Sequence, residues 1–224
     1  MAARQGQRLN PHTLAEIDAA EIRPGRPLLV VDADEVLVAF SAHLARWLNS
    51  VGYELRLTRY ELEGSIYALG DETPVAFEAA LSLIDAFFED ETVHQQPLAG
   101  AVEALERLRR EAQVVVLTNI PRPARDDRVT NLLSHGLDIP VIANQGGKGR
   151  ALAIMAARAA APSAFIDDSP HQIVSAARHA PDMGRIHFRG SPFIQPVLQA
   201  VEGDHDTAAS WPEAETMIRR HLAL

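Results

Sequence analysis

Five short apolar runs with helical patterns between them constrain this chain's fold more than any other feature. They are Leu28–Val31, Val114–Leu117, Pro140–Ile142, Ala164–Ile166 and Arg185–Phe188. A continuous apolar run of strand length suits a strand covered on both faces, as in a parallel sheet. Between the runs, Leu98–Arg110 places Val102, Leu105 and Leu108 on one helical face, and Lys148–Ala160 aligns Leu152, Met155 and Ala156. Arg128–Leu133 is a shorter helical pattern, and Pro170–His179 opens on a proline, a residue favoured at the first helical position. Strands alternating with helices predict an α/β fold: a three-layer, Rossmann-like parallel sheet with right-handed crossovers.

One connection breaks this rhythm. About 60 residues separate the first run from Leu98, far more than a crossover needs. The stretch carries helical patterns of its own. Ser41–Val51 aligns Leu44, Trp47 and Leu48, and Pro74–Phe88 aligns Phe77, Leu81, Ile84 and Phe88. Thr58-Arg59-Tyr60-Glu61 has capping-box spacing and predicts a further helix there. The expected organisation is a core domain of residues 1–40 and 94–224 with a small α-helical cap domain, residues 41–93, inserted after the first strand. Residues 1–27 read as a polar lead-in with a short helix over Leu14–Ile22, and Pro212–Leu222 reads as a terminal amphipathic helix.

Composition narrows the function classes. The chain has no cysteine, which excludes disulfides, thiolate zinc sites and cysteine nucleophiles. Its formal net charge of −9 repels polyanions, and an aromatic content of 5% offers no base-stacking platform, so a nucleic acid polymer is not an expected partner. No apolar run approaches the ~20 residues that span a bilayer. Met1–Asn10 lacks the apolar stretch of a signal peptide, so a cytoplasmic location without membrane association is expected.

In an open parallel sheet, ligands bind at the carboxyl ends of the strands. The first run delivers Asp32-Ala33-Asp34-Glu35-Val36 there, and the second delivers Thr118-Asn119. Gly146-Gly147-Lys148 follows the third, and the fourth delivers Asp167-Asp168-Ser169. Each alone has an ordinary explanation. Aspartates cap turns and helices, threonine is a good strand residue, and a lone lysine is most often solvated. Four such groups in this order, with complementary chemistry, are much harder to explain as unrelated accidents.

Competing motifs fail. Around Lys148 a P-loop would put its first glycine at Ile142 and its final Ser/Thr at Gly149. No Gly-x-Ser-x-Gly is present, and the nine histidines show no His-x-x-x-His spacing. His171 lies just past Asp168 but reads as a surface residue.

The motif set resembles the haloacid dehalogenase superfamily. Leu29-Val30-Val31-Asp32-Ala33-Asp34-Glu35-Val36 is similar to its first motif, an apolar strand ending in Asp-x-Asp-x-(Thr/Val). Val116-Leu117-Thr118-Asn119 resembles the second motif, Lys148 the third, and Phe165-Ile166-Asp167-Asp168 the fourth. The resemblance runs from about residue 28 to 190 and includes the insertion after the first strand. It implies a phosphoric ester hydrolase with Asp32 as nucleophile and Asp34 as proton donor and then base. Thr118, Asn119 and Lys148 would bind the substrate phosphate. Mg²⁺ would sit on Asp32, the backbone carbonyl of Asp34, and Asp168, with Asp167 orienting Lys148 or a metal-bound water. Asp34 argues for phosphate chemistry, since a halide leaving group needs no proton. One departure is Glu35, where many relatives have glycine.

The expectation is therefore a Mg²⁺-dependent phosphatase of small phosphorylated metabolites that works through an aspartyl-phosphate. Val36–Phe40 faintly resembles deoxyribonucleotidases, which gives nucleotide monophosphates a modest edge over sugar phosphates. The alternatives are a phosphomutase or phosphonate hydrolase on the same site, and a non-catalytic binder of a phosphorylated ligand. A homodimer is left open.

Overall fold

The computed structural model describes residues 9–224. The expected lead-in and core domain therefore fall within it only from residue 9, and residues 1–8 lie outside the described residues. In chain order the elements are α1 (Pro11–Ala19), β1 (Leu28–Val31), α2 (Phe40–Ser50), β2 (Tyr53–Leu55), β3 (Ile66–Ala68), α3 (Phe77–Glu91), α4 (Ala101–Leu108) and β4 (Gln113–Thr118). They continue with α5 (Arg125–Ser134), β5 (Val141–Ala143), α6 (Gly149–Ala159), β6 (Ser163–Asp167), α7 (Pro170–His179), β7 (Gly184–Phe188), β8 (Asp206–Ala208) and α8 (Trp211–Leu222).

Among the described residues, six strands form one sheet in the order β5-β4-β1-β6-β7-β8, and each pairing in it is parallel. This is the doubly wound arrangement, with the chain reversing its direction of travel across the sheet at β1. The strand side chains alternate between two cores. Leu29, Val31, Val114, Val116 and Ile166 join the cluster that contains α4 and α8 residues such as Leu105 and Ile218. Leu28, Val30, Val115, Leu117 and Phe165 join the cluster containing Ile17, Leu152 and Ile173 from α1, α6 and α7. The strands are thus covered on both faces, which is why their sequences are continuously apolar.

Strand β8 is not among the apolar runs. It has three residues, Asp206-Thr207-Ala208, at the sheet edge beside β7, and its pairing is set by tertiary context.

The segment between β1 and α4 departs from the expected all-helical cap. It contains α2 and α3 together with an antiparallel hairpin, in which Tyr53, Glu54 and Leu55 pair with Ala68, Tyr67 and Ile66. The helix predicted from Thr58 does not form, and residues 58–65 are the turns that connect the two hairpin strands. The capping-box spacing is present, but Glu63-Gly64 cuts short the apolar run a helix would need, and Gly64 adopts φ +70°. Phe77 and Leu81 of α3, expected on its packed stripe, are exposed, whereas Ala80, Phe87 and Phe88 are buried. Phe87 stands edge-on to Phe40 at 5.4 Å, and this cluster includes Ile120, Ala124 and Ala143 above the carboxyl ends of β4 and β5. The inserted segment is therefore seated over the strand ends where the motif residues lie.

The turn before α6 depends on one glycine. A Cβ on Gly149 would lie 2.1 Å from the Ser175 carbonyl oxygen of α7, closer than any real contact. Gly149→Ala is expected to push α6 from α7 and destabilise the protein by roughly 3 kcal/mol. Denaturant unfolding monitored by circular dichroism would check this, and an unchanged midpoint would contradict it.

Candidate active site

The β1 run ends at Asp32, and the chain then turns sharply through Asp34, Glu35 and Val36. Glu35 adopts φ +61°, a conformation that favours glycine. Its carboxylate compensates locally: it is buried and accepts bonds from the Ser41 backbone N–H at the start of α2 and from the Ser191 hydroxyl. The loop thus keeps a glycine-like backbone without glycine. Burial pushes the Glu35 pKa up, opposed by its bonds to Ser191 and Ser41. Trp211 of α8 fixes the other side of the turn by donating to the Val36 carbonyl at 2.8 Å.

Lys148 sits at the head of α6 and is buried. Its Nζ lies 2.6 Å from Asp32 Oδ1 and 2.6 Å from Asp167 Oδ2. Burial alone would lower the Lys148 pKa, but Asp167 and Asp32 outweigh it and the net displacement is upward. The Gln172 side chain accepts from the Lys148 backbone N–H at 2.8 Å and holds the turn. Asp167 accepts the Ser169 N–H at 2.8 Å and is pushed up to about 7 by burial.

Asp168 faces the same space. One carboxylate oxygen each from Asp32, Asp167 and Asp168 falls within 4.8 Å of the others. Burial, then repulsion from Asp167 and Asp32, holds the Asp168 pKa well above its usual range. Lys148 answers Asp32 and Asp167, while Asp168 receives a 2.6 Å hydrogen bond from the Tyr60 hydroxyl. A neutral phenol leaves a buried carboxylate uncompensated in charge, and an all-oxygen donor set of this kind suits a hard divalent cation. The residues therefore fit a metal ion.

Asp34 Oδ1 lies 2.7 Å from Nη2 of Arg128, which is fully buried in α5 and also donates to Gln95 at 2.6 Å. Burial raises the Asp34 pKa to about 6 despite Arg128. A carboxyl in that range can hold and release a proton near neutrality. Thr118 ends β4 with its hydroxyl buried and without a hydrogen-bond partner among the described residues. Such an orphan is costly unless a ligand satisfies it. Asn119 is exposed, donates to the Gly146 carbonyl at 3.0 Å and accepts from Asn144 at 2.8 Å, which ties two strand ends together.

All seven residues singled out in the sequence line one cavity of about 330 Å³. Sequence reasoning missed three contributors. Tyr60 comes from a loop read as a helix. Arg128 was hidden in a charged helical stretch where nothing distinguishes it from its solvated neighbours. Gln172 carries no motif signal. His171 is exposed, in keeping with its reading as a surface residue.

The fold is shared with solved structures of haloacid dehalogenase-like proteins. No family model and no curated protein matches the chain. Solved structures do. A conserved haloacid dehalogenase-like protein of unknown function from Agrobacterium tumefaciens is 18% identical with a TM-score of 0.58, covering 88% of this chain and 99% of that one. A haloacid dehalogenase family hydrolase from Deinococcus radiodurans, with bound phosphate and sodium, is 16% identical with a TM-score of 0.59 over 87% and 95%. A superfamily hydrolase of subfamily IA from Geobacter sulfurreducens is 19% identical with a TM-score of 0.53 over 86% and 100%. At these identities the likeness establishes the fold, over nearly the whole of each chain.

Among the described residues, no helix is long and apolar enough to cross a membrane.

Proposed function

We propose that the protein is a Mg²⁺-dependent phosphomonoester hydrolase of small phosphorylated metabolites, and that residues 41–93 form the cap over its active site. The observation that carries this reading is the convergence of Asp32, Asp167 and Asp168 within 4.8 Å, with Lys148 bridging the first two. The Deinococcus protein of similar fold holds phosphate, which is in keeping with this reading.

Asp32 attacks phosphorus, forming a P–O bond to its carboxylate as the bond to the leaving alcohol breaks. Asp34 gives its proton to the departing alkoxide. It then takes a proton from water, which attacks the aspartyl-phosphate, releases inorganic phosphate and restores Asp32. Arg128 holds Asp34 in place through its 2.7 Å contact. Thr118 and Lys148 receive the phosphate oxygens, with the start of α6 adding its dipole. Asp167 fixes the Lys148 ammonium. Mg²⁺, held by Asp32, Asp168 and the backbone carbonyl of Asp34, would supply neutralisation of the charge between carboxylate and phosphate.

The test is a panel of phosphorylated metabolites incubated with the protein, with and without Mg²⁺, and read by release of inorganic phosphate. Mg²⁺-dependent release that chelation abolishes is the expected result. Isomerised products, carbon–phosphorus cleavage, or binding without turnover would each overturn the reading.

A further inference from the structure

The cavity over the strand ends has two unlike halves. The sheet side is polar and carries the groups just described. The opposite side comes mostly from the inserted segment and presents Phe40, Leu57, Leu62 and Phe88, joined by Ile194. Phe40 and Phe88 lie 5.4 Å apart with their rings tilted by 30°, and so form a broad apolar wall.

Charge is distributed as unevenly as polarity. Among the described residues that line the cavity, Lys148 is the one basic side chain, and its ammonium is committed to Asp32 and Asp167. Arg128 is turned to Asp34 and Gln95 and does not line the space. The polar groups on the apolar side already have partners. The Tyr60 hydroxyl donates to Asp168, and Glu61 is paired with Arg59 at 3.0 Å.

A phosphate monoester seated with its phosphorus at Asp32 must place its alcohol portion in that apolar half. A carboxylate or second phosphate there would lie against Phe40, Leu57 and Phe88, with Arg59, the cation beside that wall, already paired with Glu61. The wall of Phe40, Leu57, Leu62 and Phe88 offers a polyhydroxylated sugar no hydrogen bonds in place of the water it would displace. An uncharged, apolar alcohol meets neither cost and gains burial against the aromatic wall. We propose that the substrate is a phosphate monoester of an uncharged, apolar alcohol, with Phe40, Leu57, Leu62 and Phe88 setting that preference. This rests on the hydrolase reading above and names the substrate class of the same site.

Leaving-group chemistry can be held constant in the test. The esters 2-phenylethyl phosphate, 2-phosphoglycolate and glucose 6-phosphate all release a primary alcohol, so differences in kcat/KM report recognition. The 2-phenylethyl ester is expected to exceed both others by about tenfold or more, largely through KM. Leu57→Arg adds a cation to the apolar wall itself. Leu57 belongs to none of the three apolar clusters, so the fold has little need of its side chain. In that variant the preference is expected to move toward 2-phosphoglycolate by at least about tenfold. Hydrolysis of 2-phosphoglycolate or glucose 6-phosphate as efficient as that of the 2-phenylethyl ester would overturn the substrate class and leave the hydrolase reading standing. If no ester is hydrolysed, the hydrolase reading fails. Binding of 2-phenylethylphosphonate against phosphonoacetate, measured by calorimetry with Mg²⁺ present, then decides the cavity preference on its own. Tighter binding of phosphonoacetate would overturn it.

Discussion

Asp32→Asn is expected to reduce Mg²⁺-dependent phosphate release by roughly 10⁴-fold or more, with the protein still folded. The amide has nearly the shape of the carboxylate, so the buried turn from β1 to Glu35 keeps its packing. What disappears is the nucleophile, since an amide oxygen has neither the charge nor the basicity to form the aspartyl ester. The stability consequence runs the other way from most buried substitutions. Asp32 shares its space with Asp167 and Asp168, each within 4.8 Å at the nearest oxygens, so removing one charge relieves repulsion. Lys148 keeps Asp167 as a partner at 2.6 Å. Steady-state assays paired with thermal unfolding would check both halves. An active Asp32→Asn protein would remove Asp32 from the mechanism, and an unfolded one would mean that the carboxylate is needed structurally.

The sequence made the core legible because its physics is local. Leu28–Val31 is apolar at every position since both faces of β1 are covered, and that run, the helical periodicities and the strand-end carboxylates all point to the carboxyl ends of the strands. The convergence of Asp32, Lys148 and Asp167 followed from their positions at strand ends. The inserted segment was read less well. A hairpin with strands of three residues leaves almost no alternating pattern, and the Thr58 capping box has the right spacing without the helix that should follow. Tyr60 and Arg128 were missed for a related reason. Their importance lies in long-range contacts, to Asp168 and Asp34, that no local periodicity encodes. Glu35 is the converse case. It departs from the glycine of the resembled motif, yet its carboxylate finds the Ser41 N–H and the Ser191 hydroxyl, the latter 156 residues away, and the turn survives.

Lys148→Met is expected to cost about 3–5 kcal/mol of stability, because it removes the cation from a buried pair and leaves its carboxylates behind. Methionine fills much of the lysine volume and can keep the apolar stem against Phe165, whose ring centroid lies 5.9 Å from the ammonium. The loss therefore reports charge more than packing. Asp32 and Asp167 would then face each other and Asp168 with no cation from Lys148 between them. Adding Asp167→Asn to the variant removes one stranded charge and is expected to restore about 1–3 kcal/mol, so the two substitutions are far from additive. Urea unfolding of the wild type, both single variants and the double variant, in chelator to exclude bound metal, closes this cycle. If Lys148→Met alone is as stable as the wild type, the ammonium does not offset these carboxylates, and the account of how four buried charges coexist at these strand ends is wrong. If the double variant is no more stable than Lys148→Met, the loss comes from packing, and Lys148 is held by its surroundings and not by Asp167.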